Sequence, residues 1–157
     1  MTKEQKQEFT LRITGANKSE MIVILCDMFA VYCEDAVQAC EKNDFTEFHN
    51  SLRRARNVLC ELINSLDRSY DVANRIYEIY RFMERQLIQA NVKQSAEPIP
   101  DVIRLIQKLN TGYRVVSKED SSPTIMQNAE TVYTGITYGK NDLCNNSNAV
   151  SNRGFFA

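Results

Sequence analysis

From Asn17 to about Val116 the apolar residues recur at three- and four-residue steps, the spacing that gives each helix one buried stripe. The first run holds Met21, Ile22, Ile24, Leu25, Met28, Phe29, Tyr32, Ala36 and Val37 and predicts a helix ending near Glu41. Asn17 with Glu20 three residues on is a capping-box arrangement, in which each side chain satisfies a free backbone N–H of the other. Asp44 and Glu47 predict a second box. Behind it stand Phe45, Phe48, Leu52, Ala55, Leu59, Leu62 and Leu66. Their alternating steps give a period of about 3.5, as in bundles packed at small crossing angles. Asp67-Arg68-Ser69-Tyr70 is a short connection, so the third helix, carrying Val72, Ile76, Ile79, Tyr80, Met83, Leu87 and Ala90, is expected to lie antiparallel to the second. After a break at Ser95–Pro100, Pro100 suits the first turn of a fourth helix, where its missing N–H costs nothing. Val102, Ile103, Ile106, Leu109, Tyr113 and Val116 continue the stripe, and Gly112 weakens the last turn by about 1 kcal/mol against Ala.

The ends read differently. Residues 1–16 are polar and lack a sustained period, apart from Phe9, Leu11 and Ile13, and are expected to be a flexible segment. Residues 117–157 are dominated by Asn, Ser, Thr and Gly, with Pro123 interrupting, and are expected to be a polar, flexible tail. Two apolar groups survive there: Val132-Tyr133 with Ile136 and Tyr138, and Phe155-Phe156. The expected fold is all-α: an antiparallel, up-down four-helix bundle over residues 17–116, flanked by a short N-terminal segment and a polar C-terminal tail.

Charge and composition narrow the function classes. With 19 Lys+Arg against 20 Asp+Glu the net charge is −1, and the basic excess of a nucleic-acid binder is missing. No apolar run approaches the roughly 20 residues that span a bilayer, and neither nucleic acid nor membrane insertion is expected. The charged opening Met1-Thr2-Lys3-Glu4-Gln5-Lys6 lacks the apolar stretch of a secretion signal, which predicts a cytoplasmic protein. A lone histidine, His49, cannot build a multi-histidine metal site, and the two Glu-x-x-His motifs of a di-iron bundle are missing. The five glycines are scattered and form no phosphate loop. The five cysteines are an odd count, and Cys26, Cys33 and Cys40 fall seven apart. On a helix that spacing separates neighbours by about 10 Å along the axis, too far for one zinc ion. They are expected to be free thiols acting as small hydrophobes. No catalytic residue, metal or cofactor is predicted, and the chain reads as a binder.

Three stretches narrow this further. Asn17-Lys18-Ser19-Glu20-Met21-Ile22-Val23-Ile24-Leu25-Cys26-Asp27 resembles the opening of the flagellar secretion chaperones, the FliS family. Leu59-Cys60-Glu61-Leu62-Ile63-Asn64-Ser65-Leu66-Asp67 is similar to that family's helix ending in Ser-Leu-Asp. Ile76-Tyr77-Glu78-Ile79-Tyr80-Arg81-Phe82-Met83, continuing to Leu87-Ile88-Gln89-Ala90-Asn91-Val92-Lys93, resembles its Leu-x-x-Leu-Tyr-x-Tyr-Met and Leu-x-x-Ala-Asn-Ile-Lys. The resemblance covers roughly residues 13–116. The chain departs from it at Lys18, where Pro is usual, at Cys26 and Met28, which replace Tyr and Gly around Asp27, and in its shorter turn after Asp67.

The resemblance implies a cytoplasmic chaperone that binds the disordered C-terminal segment of flagellin, prevents premature polymerisation and hands the subunit to the flagellar export apparatus. Helix-in-groove recognition on a bundle would serve that task without any chemistry. The partner-binding residues expected are Ile22, Leu25, Asp27, Phe29, Leu62, Tyr77, Tyr80, Phe82, Leu87 and Asn91. Each apolar member is either groove or core. Asp27 either pairs locally or orients client backbone, and Asn91 either closes the third helix or meets the client. Phe9, Leu11 and Ile13, or the tail group Tyr133, Ile136 and Tyr138, are further expected to cover an empty groove. The alternative from another class is a helical scaffold or regulator with a client other than flagellin.

Overall fold

The computed structural model describes residues 1–126, and among these it contains five α-helices and no strand. They are α1 (Lys3–Thr14), α2 (Lys18–Glu41), α3 (Phe45–Asn64), α4 (Asp71–Lys93) and α5 (Ile99–Glu119). Helices α2 to α5 fall on the four periodic runs. Helix α5 continues past Gly112 and Val116 to Glu119. The tail groups at Val132–Tyr138 and Phe155-Phe156, and Cys144, lie outside the described residues.

Helix α1 corrects the sequence expectation for residues 1–16. Thr2 and Gln5 form a reciprocal capping box: the Gln5 N–H donates to Thr2 Oγ1 at 3.2 Å, and the Thr2 N–H to Gln5 Oε1 at 2.7 Å. Phe9 is buried against Ala16 and Ile24, with Ile13, Met21, Met28 and Val31 around them. The Arg12 guanidinium lies 5.4 Å from the Phe9 ring centroid, and the Met1 amino group pairs with Asp35 on α2. The apolar stripe of α1 is thus two residues wide, too narrow for periodicity to reveal, and tertiary contact supplies the rest.

Asn17 caps α2 as its spacing predicts, accepting the Glu20 N–H at 2.8 Å while Glu20 Oε2 accepts the Asn17 N–H at 2.9 Å. The second predicted box is only half present. Asp44 accepts the Glu47 N–H at 3.0 Å. The Glu47 carboxylate instead takes Arg54 at 2.9 Å and the Ser51 hydroxyl at 3.2 Å. A charge-assisted bond outcompetes the neutral backbone donor.

Helix α2 packs on α1, α3 and α5, and α4 packs on α3 and α5. The core they enclose contains Phe29 and Cys33 from α2, Phe48, Leu52, Leu59 and Leu62 from α3, Tyr80, Met83 and Leu87 from α4, and Val102 and Ile106 from α5. Among the described residues no helix is long and apolar enough to cross a membrane.

Candidate functional site

The apolar seam opens where α2 begins and α3 ends. There Met21, Ile22 and Leu25, with Glu61, Asn64 and Ser65 opposite, line a groove of about 530 Å³. Ile22 and Leu25 pack against the core from below and remain partly accessible from above. The residue closing the groove's edge is Ile125, which comes from beyond α5.

Ile125 reaches this place because the chain turns back after α5. Asp120 ends that helix in an extended conformation. Its carbonyl accepts from Asn17 Nδ2 at 3.0 Å, and its Oδ2 accepts the Ser19 hydroxyl at 2.5 Å. Oδ1 accepts the Ser122 N–H at 3.0 Å. Hydrogen bonds from Ser122 and Ser19 hold the Asp120 carboxyl down at about 2, so it is charged at any neutral pH. The Ile125 N–H then donates to the Ala16 carbonyl at 3.0 Å. Asn17 therefore serves twice, capping α2 with its oxygen and holding the returning chain with its nitrogen.

The opposite side of α2 is covered by α1, through Phe9 on Ile24 and its neighbours. Beside that contact Asp27 ties three helices. Its Oδ2 accepts from Arg12 of α1 at 2.6 Å, and its Oδ1 accepts from Asn110 and from Arg114 of α5, each at 2.7 Å. Arg114 also reaches Oδ2 at 2.9 Å. Both carboxylate oxygens are thus engaged within the chain. In this conformation Asp27 pairs within the chain.

Phe29, Leu62, Tyr80 and Leu87, all expected to meet a partner, are fully buried and offer it no surface in this conformation. The reason is the face each occupies: all four belong to the cluster buried between the helices, Leu62 even in the last turn of α3. Tyr77 is half-buried, with the Arg68 guanidinium 4.2 Å from its ring centroid, and Phe82 is 40% exposed. Both are on α4, which contributes nothing to the Ile22–Leu25 groove. Asn91 Oδ1 lies 2.6 Å from His49 Nδ1, a bond joining α4 to α3. Sequence reasoning thus grouped residues that the fold separates, and it missed Met21, Ser19, Asp120 and Ile125. Ser19 and Asp120 lie 101 residues apart, and no local pattern connects them.

Burial also sets an alkaline limit. The Tyr80 and Tyr113 hydroxyls are 3.0 Å apart. Burial pushes the Tyr80 phenol well above its ordinary value, with the Tyr113 hydrogen bond adding to it. Burial likewise pushes the Cys26 thiol up to about 12, helped by the Asp27 charge and opposed by Arg114. Folding therefore favours the protonated form of both groups. The stability they contribute is complete below the ordinary values of 9.0 for Cys and 10.0 for Tyr, and is lost as pH rises towards the folded values. Urea unfolding should show a steady decline from about pH 9 upward, approaching about 1.4 kcal/mol per pH unit for each group ionised in the unfolded chain. Tyr80→Phe should flatten the part of that decline beginning near pH 10.

Residues 1–120 match the family model described as flagellar protein FliS. The flagellar secretion chaperone FliS of Bacillus subtilis (strain 168) is 27% identical over 90 residues, which cover 57% of this chain and 68% of that protein.

Proposed function

The chain belongs to the FliS family of flagellar proteins, and from that membership we propose that it is a cytoplasmic export chaperone that captures the C-terminal segment of flagellin. The observation that carries this function is the family match over residues 1–120, which spans all five helices. The name of the Bacillus subtilis relative, a flagellar secretion chaperone, points the same way. The receiving scaffold is an antiparallel, up-down four-helix bundle of α2 to α5. In its support, α2 packs on α3 and α5, α4 packs on both of these, and His49 near the start of α3 meets Asn91 near the end of α4.

Capture requires no reaction. A segment that is disordered when free can bury the apolar face of a nascent helix on the accessible part of the bundle and lose its freedom to polymerise. Ile22 and Leu25 in the groove, and Tyr77 and Phe82 on α4, are the partner-binding residues with surface to offer. Phe29, Leu62, Tyr80 and Leu87 act beneath them by holding the groove's floor and the packing of the bundle. The export apparatus is the next partner, receiving the captured subunit.

Calorimetric titration with the C-terminal segment of flagellin from the same organism tests this directly. Binding with 1:1 stoichiometry, a Kd of about 1 μM or tighter and a negative heat-capacity change is the expected result. No heat at any of several temperatures would sink the flagellin assignment and leave a helical protein with another client.

A further inference from the structure

The chain that returns after α5 touches the candidate groove with more than one kind of bond. Asp120 is fixed to the first turn of α2 through Asn17 and Ser19, and the Ile125 N–H is fixed to the Ala16 carbonyl. Between these two anchors, Pro123 holds its φ near −65° and biases Ser122 towards extended backbone, which keeps the link from coiling. The result sets Ile125 beside Ile22 and Leu25. Ile125 remains 49% exposed, so its apolar contact is partial and the returning chain is held mainly by a few part-buried hydrogen bonds to Ala16, Asn17 and Ser19. Such an attachment is strong enough to be populated and weak enough to be lifted.

We propose that Asp120–Met126 is a built-in strap that competes with the client for the end of α2, so that capture at the Ile22–Leu25 groove requires the strap to be lifted. The proposal rests on the chaperone function for the identity of the client, but the strap itself rests on the contacts just given. Two features suit the role. The strap supplies an apolar side chain and a backbone N–H to the open end of the seam, the same groups that an incoming segment would bring. Its anchors, Asn17 and Ser19, stand directly before Met21 and Ile22, so a client covering the groove meets the strap before anything else. The apparent affinity of a site that must first open falls by the fraction of molecules in which it is open.

The experiment compares the full chain with the variant Asp120→Ala/Ile125→Ser, which alters only the strap. Three quantities are read: hydrogen exchange at the residue-125 amide, fluorescence of an anilinonaphthalene sulfonate dye, and titration with the flagellin C-terminal segment. In the wild type the Ile125 amide should exchange about tenfold or more slowly than in an unfolded chain, and the variant should lose that protection. The variant should bind more dye and bind the flagellin segment about three- to tenfold more tightly. A wild-type amide exchanging at the unfolded rate overturns the strap, as does equal flagellin affinity in two proteins that both bind it. If neither protein binds flagellin, the choice of client is wrong. The strap then stands on higher dye binding by the variant and falls if dye binding is equal.

Discussion

Placing two carboxylates in the groove, as Ile22→Asp with Leu25→Asp, should weaken capture of the flagellin segment by about 100-fold or more. Both side chains line the open end of the α2–α3 seam. A client that buries its apolar face there must strip water from each new carboxylate, at a cost of a few kcal/mol per group that finds no partner. Of the two charged residues lining the groove, Glu61 repels the new carboxylates while Lys18, one turn before Ile22, attracts one of them, so desolvation sets the loss. The unbound protein suffers less, because the same opening that exposes the groove lets the carboxylates reach water. Lost burial of two half-covered side chains should cost it about 1–3 kcal/mol. Urea unfolding of the variant establishes that it is folded, and titration of that folded protein reads the affinity. A folded variant that binds as tightly as wild type would show that the client docks elsewhere on the bundle.

Ile22, Leu25 and Phe29 lie within one helical stripe, which is why sequence treats them alike. Position along the helix axis separates them. Phe29 sits where α3 and α5 both cover α2, whereas Ile22 and Leu25 sit level with Asn64 and Ser65, where α3 stops. Periodicity reports which face of a helix is apolar and is silent on how far the neighbours extend. The four long helices were therefore legible, together with the Asn17–Glu20 box, because each is written in residues three or four apart. The division of the apolar face into floor and groove was not. Helix α1 is an intermediate case: its Thr2–Gln5 box fits the sequence signature of a helix start, but a stripe reduced to Phe9 and Ile13 gives too little periodicity to extend it. Asp27 marks the opposite limit. Its partners Arg12 and Arg114 are 15 and 87 residues away, and nothing local distinguishes a carboxylate tying three helices from one facing a client.

Phe29→Ala should be the most destabilising single truncation in the first long helix, lowering the unfolding free energy by about 3–5 kcal/mol. The ring is fully buried in the cluster shared by Cys26, Cys33, Phe48 and their neighbours. Its removal forfeits the transfer free energy of the side chain and leaves a cavity that interlocked helices close only partly. Against a total stability of about 5–15 kcal/mol for an ordinary domain, that is a large share. Leu11→Ala offers the contrast: Leu11 is 68% exposed on α1, and its truncation should change stability by less than about 0.5 kcal/mol. The pair also distinguishes floor from docking surface. If Phe29 acts only beneath the groove, flagellin affinity measured well below the variant's unfolding midpoint should fall no more than severalfold. A variant that keeps its urea midpoint and loses client binding would instead mean that Phe29 meets the client directly, and that α2 must separate from its neighbours when the client is captured.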